Sequence, residues 1–148
     1  MRNFAAILSI LALLALGILA SAQTTVDFPV NLNTATDAQL LAVPNTGPRM
    51  LREFKEYRPY ASVEQFRREL GKYVDQAQVT AWLQYLFVPT NPNTATEAQL
   101  TALKGVDKAM AEYIVAGRSY KDAAAIKTHL LRKYGSAEVA KLERYWTF

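Results

Sequence analysis

The chain contains the stretch Asn31-Leu-Asn-Thr-Ala-Thr-Asp-Ala-Gln-Leu-Leu-Ala-Val43, and 60 residues later it reads Asn91-Pro-Asn-Thr-Ala-Thr-Glu-Ala-Gln-Leu-Thr-Ala-Leu103. Nine of these thirteen positions carry the same residue in both stretches. The offset continues without a gap toward the end of the chain, where Tyr85 matches Tyr145. Chance does not hold one offset over such a length, so the sequence indicates a duplicated unit. We place the two units at residues 23–88 and 89–148.

Each unit is predicted to form four short helices, which gives an all-α fold class. Thr36 and Gln39 have the spacing of a capping box, which opens the first helix of the first unit. The second unit repeats this spacing with Thr96 and Gln99. Further helix starts in the first unit are predicted at Pro48, at Ser62 (a capping box with Gln65) and after Asp75.

The apolar residues follow helical spacing. In the second predicted helix they recur every three or four residues, at Met50, Leu51, Phe54 and Tyr57. Glu53 alternates with basic residues on the other faces, a pattern typical of a solvent-exposed surface. Trp82, Tyr85 and Tyr145 lie at helical core spacing, so we assign them to the core rather than to base stacking. No alternation of period two is present, and no strand is expected.

Composition limits the chemistry available to the protein. The 148 residues include no cysteine and one histidine, His129, and 17 basic residues exceed 13 acidic ones for a formal charge of +4. Thiolate chemistry is therefore excluded, and a histidine metal site has no second ligand of its type. No nucleophile elbow or Walker loop is present. We expect a non-enzymatic protein with no cofactor, no metal and no evident small-molecule substrate.

The N-terminus has the pattern of an export signal. Arg2 precedes an apolar run from Phe4 to Ala20, and Ala20-Ser21-Ala22 offers a small-x-small cleavage site. We predict a signal peptide over residues 1–22 that is removed, with an uncleaved membrane anchor as the alternative. In both cases the folded part is expected outside the cytoplasm, in the periplasm or the extracellular space.

The lead from Val30 to Thr36, followed by a short helix, a Pro/Gly turn and a helix ending in Tyr-Arg, resembles the competence DNA receptor (ComEA) family. The resemblance covers both copies and so nearly the whole mature chain. It implies two tandem four-helix helix-hairpin-helix (SAM-like) units in an exported or membrane-tethered protein. It also implies binding of double-stranded DNA without sequence preference, through backbone amides of the hairpins and nearby basic side chains.

The hairpins depart from the family pattern, in which two glycines flank a hydrophobic plug. In the first copy Asn45 replaces the first glycine and Thr46 the plug, while Gly47 is kept and Arg49 follows. Asparagine tolerates left-handed backbone, so this turn is expected to survive. The lead itself is interpreted as capping helices and fixing the entry of the chain.

In the second copy the first glycine and the plug are kept as Gly105 and Val106, and Asp107 replaces the second glycine before Lys108. Asp107 is expected to cap the next helix, and its carboxylate would repel a phosphate. The second copy is the more basic, with nine Lys or Arg against six acids, compared with seven against six in residues 31–90. Four of its basic residues are candidates for a patch that compensates for Asp107: Lys127, Arg132, Lys133 and Lys141.

The candidate phosphate-binding residues are those of the two hairpins: Asn45, Thr46, Gly47, Arg49, Gly105, Val106 and Lys108. The predicted function is sequence-independent DNA binding, with DNA uptake as a process that would use it. The alternative is a protein-interaction or structural module on the same scaffold, in which the hairpins only pack and the DNA site is lost.

Overall fold

A computed structural model describes residues 25–148, so the predicted signal peptide lies outside the described residues. The described chain is mostly helical, as predicted for an all-α fold. Its α-helices are α1 (Asp37–Leu41), α2 (Pro48–Glu56), α3 (Val63–Leu70), α4 (Gln76–Trp82), α5 (Glu97–Thr101), α6 (Lys108–Ala116), α7 (Ala123–Leu130) and α8 (Ser136–Leu142). A 3-10 turn follows at Glu143–Tyr145. None of the helices in residues 25–148 has the length and hydropathy needed to cross a bilayer.

The duplication of the sequence is also a duplication of local structure. Each helix of the second repeat begins and ends 60 residues after its counterpart: α1 matches α5, α2 matches α6, α3 matches α7 and α4 matches α8. The first turns of α1 and α5 carry the predicted capping boxes, with both reciprocal hydrogen bonds present. The same cap therefore opens α1 and α5, whereas the other three pairs of helices begin at the same offset with different N-cap residues.

The start of α3 differs in detail from the prediction. The Ser62 hydroxyl accepts a hydrogen bond from Gln65 N at 3.1 Å, as a capping box requires. The Gln65 side chain, however, accepts from Ala61 N at 2.8 Å instead of from Ser62. The cap is present, but the reciprocal bond is shifted by one residue.

The expectation that no strand forms was wrong for two short segments. Strands β1 (Val30–Asn31) and β2 (Leu86–Phe87) pair in parallel and bring the two ends of the first repeat together. In the second repeat Thr90 and Trp146 form the equivalent parallel bridge. Two residues are too few to show a period of two, so the sequence pattern could not reveal this pairing.

The buried side chains form two hydrophobic clusters, one for each repeat. The first includes Phe54, Phe66 and Trp82, and the second includes Met110, Ile114 and Tyr145 (all six are 2% exposed or less). Phe87 belongs to the second cluster and packs edge-on against Tyr145 at 4.8 Å between ring centroids. A residue at the end of the first predicted unit (23–88) thus contributes to the core of the second repeat.

The asparagines of the lead tie each repeat together, as interpreted from the sequence. The Asn33 side chain donates to Tyr60 O at 2.9 Å and accepts from Tyr60 N at 2.7 Å. Asn93 makes the same pair of bonds with Tyr120, both at 2.7 Å. A backbone segment 27 residues away is therefore fixed to the start of each repeat by two hydrogen bonds.

The prediction that Glu53 lies on a solvent-exposed face was wrong, because only 5% of its surface is accessible. Its carboxylate accepts from the Arg52 guanidinium at 3.3 Å. In the second repeat the same position is Tyr113, which stacks on His129 at 4.1 Å between ring centroids. This position therefore carries a polar side chain in both repeats, with a different partner in each.

Candidate nucleic-acid interface

Two short turns join the first two helices of each repeat: turn 1 (residues 43–47) and turn 2 (residues 103–107). Asn45 in turn 1 has φ 61°, and Gly105 at the equivalent place in turn 2 has φ 93°. Both values lie in the left-handed region, which glycine adopts freely and asparagine tolerates. The prediction that Asn45 tolerates a left-handed backbone in this turn is confirmed.

The residue after the left-handed position points into the core in both turns. Thr46 is 9% exposed and Val106 is 6% exposed. The Thr46 hydroxyl is buried and has no hydrogen-bond partner among the described residues. Thr46 is therefore a less favourable plug than Val106, and both residues can offer only backbone groups to a ligand.

The helix starts that follow the two turns differ in their free donors. Gly47 has φ −98° and no side chain that could accept a hydrogen bond from the first turn of α2. Within residues 25–148 no acceptor is paired with the N–H groups of Arg49 and Met50. Asp107 instead caps α6, since its Oδ1 accepts from Met110 N at 2.8 Å. Turn 1 thus presents open amides at a positive helix end, whereas turn 2 presents a carboxylate.

Each turn is fixed to its repeat by a different aromatic donor. In the first repeat Trp82 Nε1 donates to Pro44 O at 2.9 Å. In the second repeat the Tyr145 hydroxyl donates to Lys104 O at 3.1 Å. Trp82 and Tyr145 are buried, as predicted, but their hydrogen bonds to the turns were not predicted from sequence. The sequence did show that the position of Trp82 is occupied by Leu142 in the second repeat, which indicates that the two turns cannot be held by the same donor.

Exposed cations flank both turns. Arg49 lies beside the Tyr73 ring, with 5.9 Å from its guanidinium carbon to the ring centroid. Lys108 follows turn 2, and its ammonium is 3.7 Å from the Glu112 carboxylate, with 81% of its side chain exposed. Lys104 is exposed and forms no ion pair among the described residues. These cations are available to an anion approaching either turn.

The four basic residues predicted as a compensating patch in the second repeat have different environments. Lys127 is paired with Glu143 at 2.7 Å and is neutralised. Lys133 lies over the rings of Tyr113 and Tyr134, at 5.0 and 5.6 Å from the centroids. Arg132 and Lys133 remain as exposed positive charges on the loop that joins α7 to α8, and Lys141 remains exposed on α8.

Two titratable side chains near the turns, Tyr73 and His129, are engaged in contacts within the protein. Hydrogen bonding to Tyr57, whose hydroxyl is 2.8 Å from that of Tyr73, and to Glu53 raises the pKa of Tyr73. His129 is stacked on Tyr113 and its Nε2 is 3.1 Å from Tyr113 O. Over residues 25–148 no group of three or more potential ligands from His, Cys, Asp and Glu is placed to hold a metal ion.

The structure thus exposes most of the predicted site residues: Asn45, Gly47, Arg49, Gly105 and Lys108. Thr46 and Val106 are buried. Comparisons with models of protein families, with curated proteins and with solved structures found no match to this chain.

Proposed function

We propose that this protein is an exported DNA-binding protein that contacts the phosphate backbone of double-stranded DNA without reading its sequence. It is proposed to consist of two tandem helix-hairpin-helix units, with turn 1 and turn 2 as the hairpins. The observation that carries the proposal is the left-handed turn leading directly into an uncapped helix start at Gly47, with the exposed Arg49 beside it.

This arrangement suits a phosphate for electrostatic reasons. The backbone N–H groups of Arg49 and Met50 have no acceptor in the described part of the chain and lie at the positive end of α2, a helix of nine residues. Arg49 adds a full charge that can donate two hydrogen bonds to phosphate oxygens. None of these groups distinguishes one base from another, so the contact is expected to be independent of sequence.

The two turns contribute unequally in this proposal. Turn 2 keeps the left-handed Gly105 and gains Lys104 and Lys108, but the Asp107 carboxylate already occupies the donor that a phosphate would use. Repulsion between Asp107 and a phosphate opposes the attraction of the two lysines. Turn 1 is therefore the main contact, and turn 2 adds long-range attraction.

The test is duplex binding measured by fluorescence anisotropy at 50 and 200 mM salt on two unrelated sequences. With few phosphate contacts we expect micromolar or weaker affinity, equal for both sequences, and a log–log salt slope of about −2 to −4. Absence of binding, or binding that does not change with salt, would contradict the proposal.

Arg49→Glu tests the site itself. Reversal of this charge beside the open amides is expected to weaken binding about tenfold or more on every sequence and to flatten the salt slope by about 1. Lys121→Glu is the matched control, since Lys121 is 85% exposed and lies outside both turns. Equal losses in the two variants would assign the effect to net charge and remove turn 1 from the interface.

A second candidate function is a protein-interaction module on the same scaffold. It is favoured by the Asp107 cap, which satisfies the α6 start internally, and by the pairing of Lys127 with Glu143. It predicts that the purified protein does not bind duplex DNA even at 50 mM salt, so the anisotropy experiment distinguishes the two functions.

A further inference from the structure

A cavity of about 660 Å³ opens beside turn 2, where the beginning of the described chain meets the second repeat. Its lining includes the half-buried Phe28 and the exposed Lys104 and Lys141. Pro29, Leu142 and Tyr145 also line it but are themselves buried. Gly105 also lies in its wall. This volume is within the range of cavities that bind small molecules.

The cavity follows from two differences between the repeats. In the first repeat Trp82 is buried against turn 1 and donates to Pro44 O. The equivalent residue of the second repeat is Leu142, which is smaller and leaves the Lys104 carbonyl to the Tyr145 hydroxyl. Asn45 likewise extends a side chain to Gln78 at 3.0 Å, whereas Gly105 has none. The second repeat thus has less side-chain volume beside its turn.

The charges around the cavity are not all available. Arg144 donates to Asp27 at 2.8 Å and to Pro29 O at 3.2 Å, so its charge is compensated. Lys104 and Lys141 form no ion pair among residues 25–148. Glu138 is the other carboxylate of the wall. With Arg144 and Asp27 paired, two cations remain against one carboxylate, which favours an anion.

We propose that this cavity binds a single nucleotide unit, with the base against the Phe28 ring and the phosphate near Lys104 and Lys141. A planar base can stack on the half-buried Phe28 ring, because aromatic side chains stack on the faces of bases. The other apolar residues of the wall, Pro29 and Leu142, are themselves buried. A phosphate matches two ammonium groups with no competing partner. Bases inside a duplex are paired and stacked, so the occupant is a free nucleotide or the unpaired end of a strand.

This proposal goes beyond duplex binding at turn 1 and does not depend on it. Arg49, Gly47 and Met50 are absent from the cavity wall. Arg49→Glu is therefore expected to leave nucleotide binding unchanged, within a factor of about two. Loss of both activities in that variant would contradict the separation.

The experiment titrates the protein with deoxyadenosine monophosphate by isothermal calorimetry. Inorganic phosphate and deoxyadenosine serve as the two half-ligands, and both are expected to bind at least about tenfold more weakly than the nucleotide. Absence of nucleotide binding overturns the proposal, and so does phosphate that binds as tightly as the nucleotide.

Leu142→Trp is the decisive variant because the first repeat already carries tryptophan at this position. The added indole is expected to fill the cavity and raise the nucleotide Kd by about tenfold or more, while circular dichroism and duplex binding stay as in the parent protein. Should this variant unfold, Lys104→Ala and Lys141→Ala each supply the test instead. Nucleotide binding that is unchanged in the folded variants overturns the assignment.

A second pair of ligands distinguishes the source of the nucleotide. A short single-stranded oligonucleotide with a 5′-phosphate and a blunt duplex of the same sequence are each used to compete with the monophosphate. Competition by the single strand indicates that the cavity receives a strand end, whereas competition by neither assigns it to free nucleotides. Competition by the blunt duplex alone contradicts a site for an unpaired nucleotide.

Discussion

Asn45 holds the left-handed backbone of turn 1, and its side chain adds a contact that glycine could not make. Its Nδ2 donates to Gln78 Oε1 at 3.0 Å, which links the turn to α4. Gly105 has no such contact in turn 2 but keeps the same backbone region. The choice at this position is therefore between conformational freedom and an additional hydrogen bond.

Substitution of Asn45 by alanine is expected to destabilise the protein by about 1 to 2 kcal/mol, because the left-handed region is strained for alanine. Asn45→Gly should cost less, since it loses only an exposed hydrogen bond. Urea unfolding of both variants measures the difference. Equal losses would show that the side-chain contact, and not the backbone, sets the requirement.

The buried Thr46 hydroxyl gives a second prediction for a single residue. Thr46→Val removes an unsatisfied buried group and copies the Val106 plug, so it should stabilise the protein by about 1 kcal/mol. Val106→Thr is the reciprocal variant and should destabilise by a similar amount. The free energy of unfolding reports both, and a destabilised Thr46→Val would contradict the packing argument.

For single elements, the start of α6 differs from that of α2 by one carboxylate. Asp107→Asn keeps a side chain able to cap Met110 N and removes the negative charge. Under the proposed function it should strengthen duplex binding about two- to fivefold and steepen the salt dependence. Gly47→Asp is the reverse change, and open space surrounds a Cβ there. Binding that is insensitive to both variants would contradict phosphate contact at these helix starts.

The boundaries of the elements were largely predictable from sequence because caps are local. The first turns of α1 and α5 were identified from Thr36 and Thr96 with glutamine three residues later, and the structure has both boxes. The strand pairing of Val30 with Leu86 was not predictable, since it joins residues 56 positions apart and leaves no periodic signal.

The candidate site was predictable to a lesser extent for the same reason. The Asn45 backbone and the Asp107 cap followed from residue type at a turn. The burial of Glu53 depends on groups distant in sequence, such as the Tyr73 hydroxyl. The cavity beside Gly105 could not be predicted, because its lining residues Phe28 and Leu142 come from different repeats and are brought together only by the fold.

For the whole molecule, buried tyrosines make stability depend on alkaline pH. Burial raises the pKa of Tyr120 to about 12, and its hydroxyl donates to Ile114 O at 2.8 Å. Burial also raises the pKa of Tyr60 and of Tyr145. An unfolded tyrosine loses its proton near pH 10, so the folded state retains protons that the unfolded state has lost.

Stability from these groups is thus complete below about pH 10 and is lost as pH rises toward the raised pKa values. We expect the free energy of unfolding to fall between pH 10 and 12. Tyr120→Phe should make that fall shallower, as followed by urea unfolding at a series of pH values. A stability that is level across this range would contradict the burial of these hydroxyls.

The segment from Leu86 to Val88 joins the two cores by the alternation of its side chains. Leu86 and Val88 enter the first cluster, while Phe87 between them enters the second. Successive side chains of an extended segment face opposite sides, so parity decides which core each one reaches. One inserted residue here would exchange the destinations of the apolar side chains that follow it, whereas two would restore them. Insertions or deletions of an even number of residues in this segment are therefore expected to be tolerated better than those of an odd number.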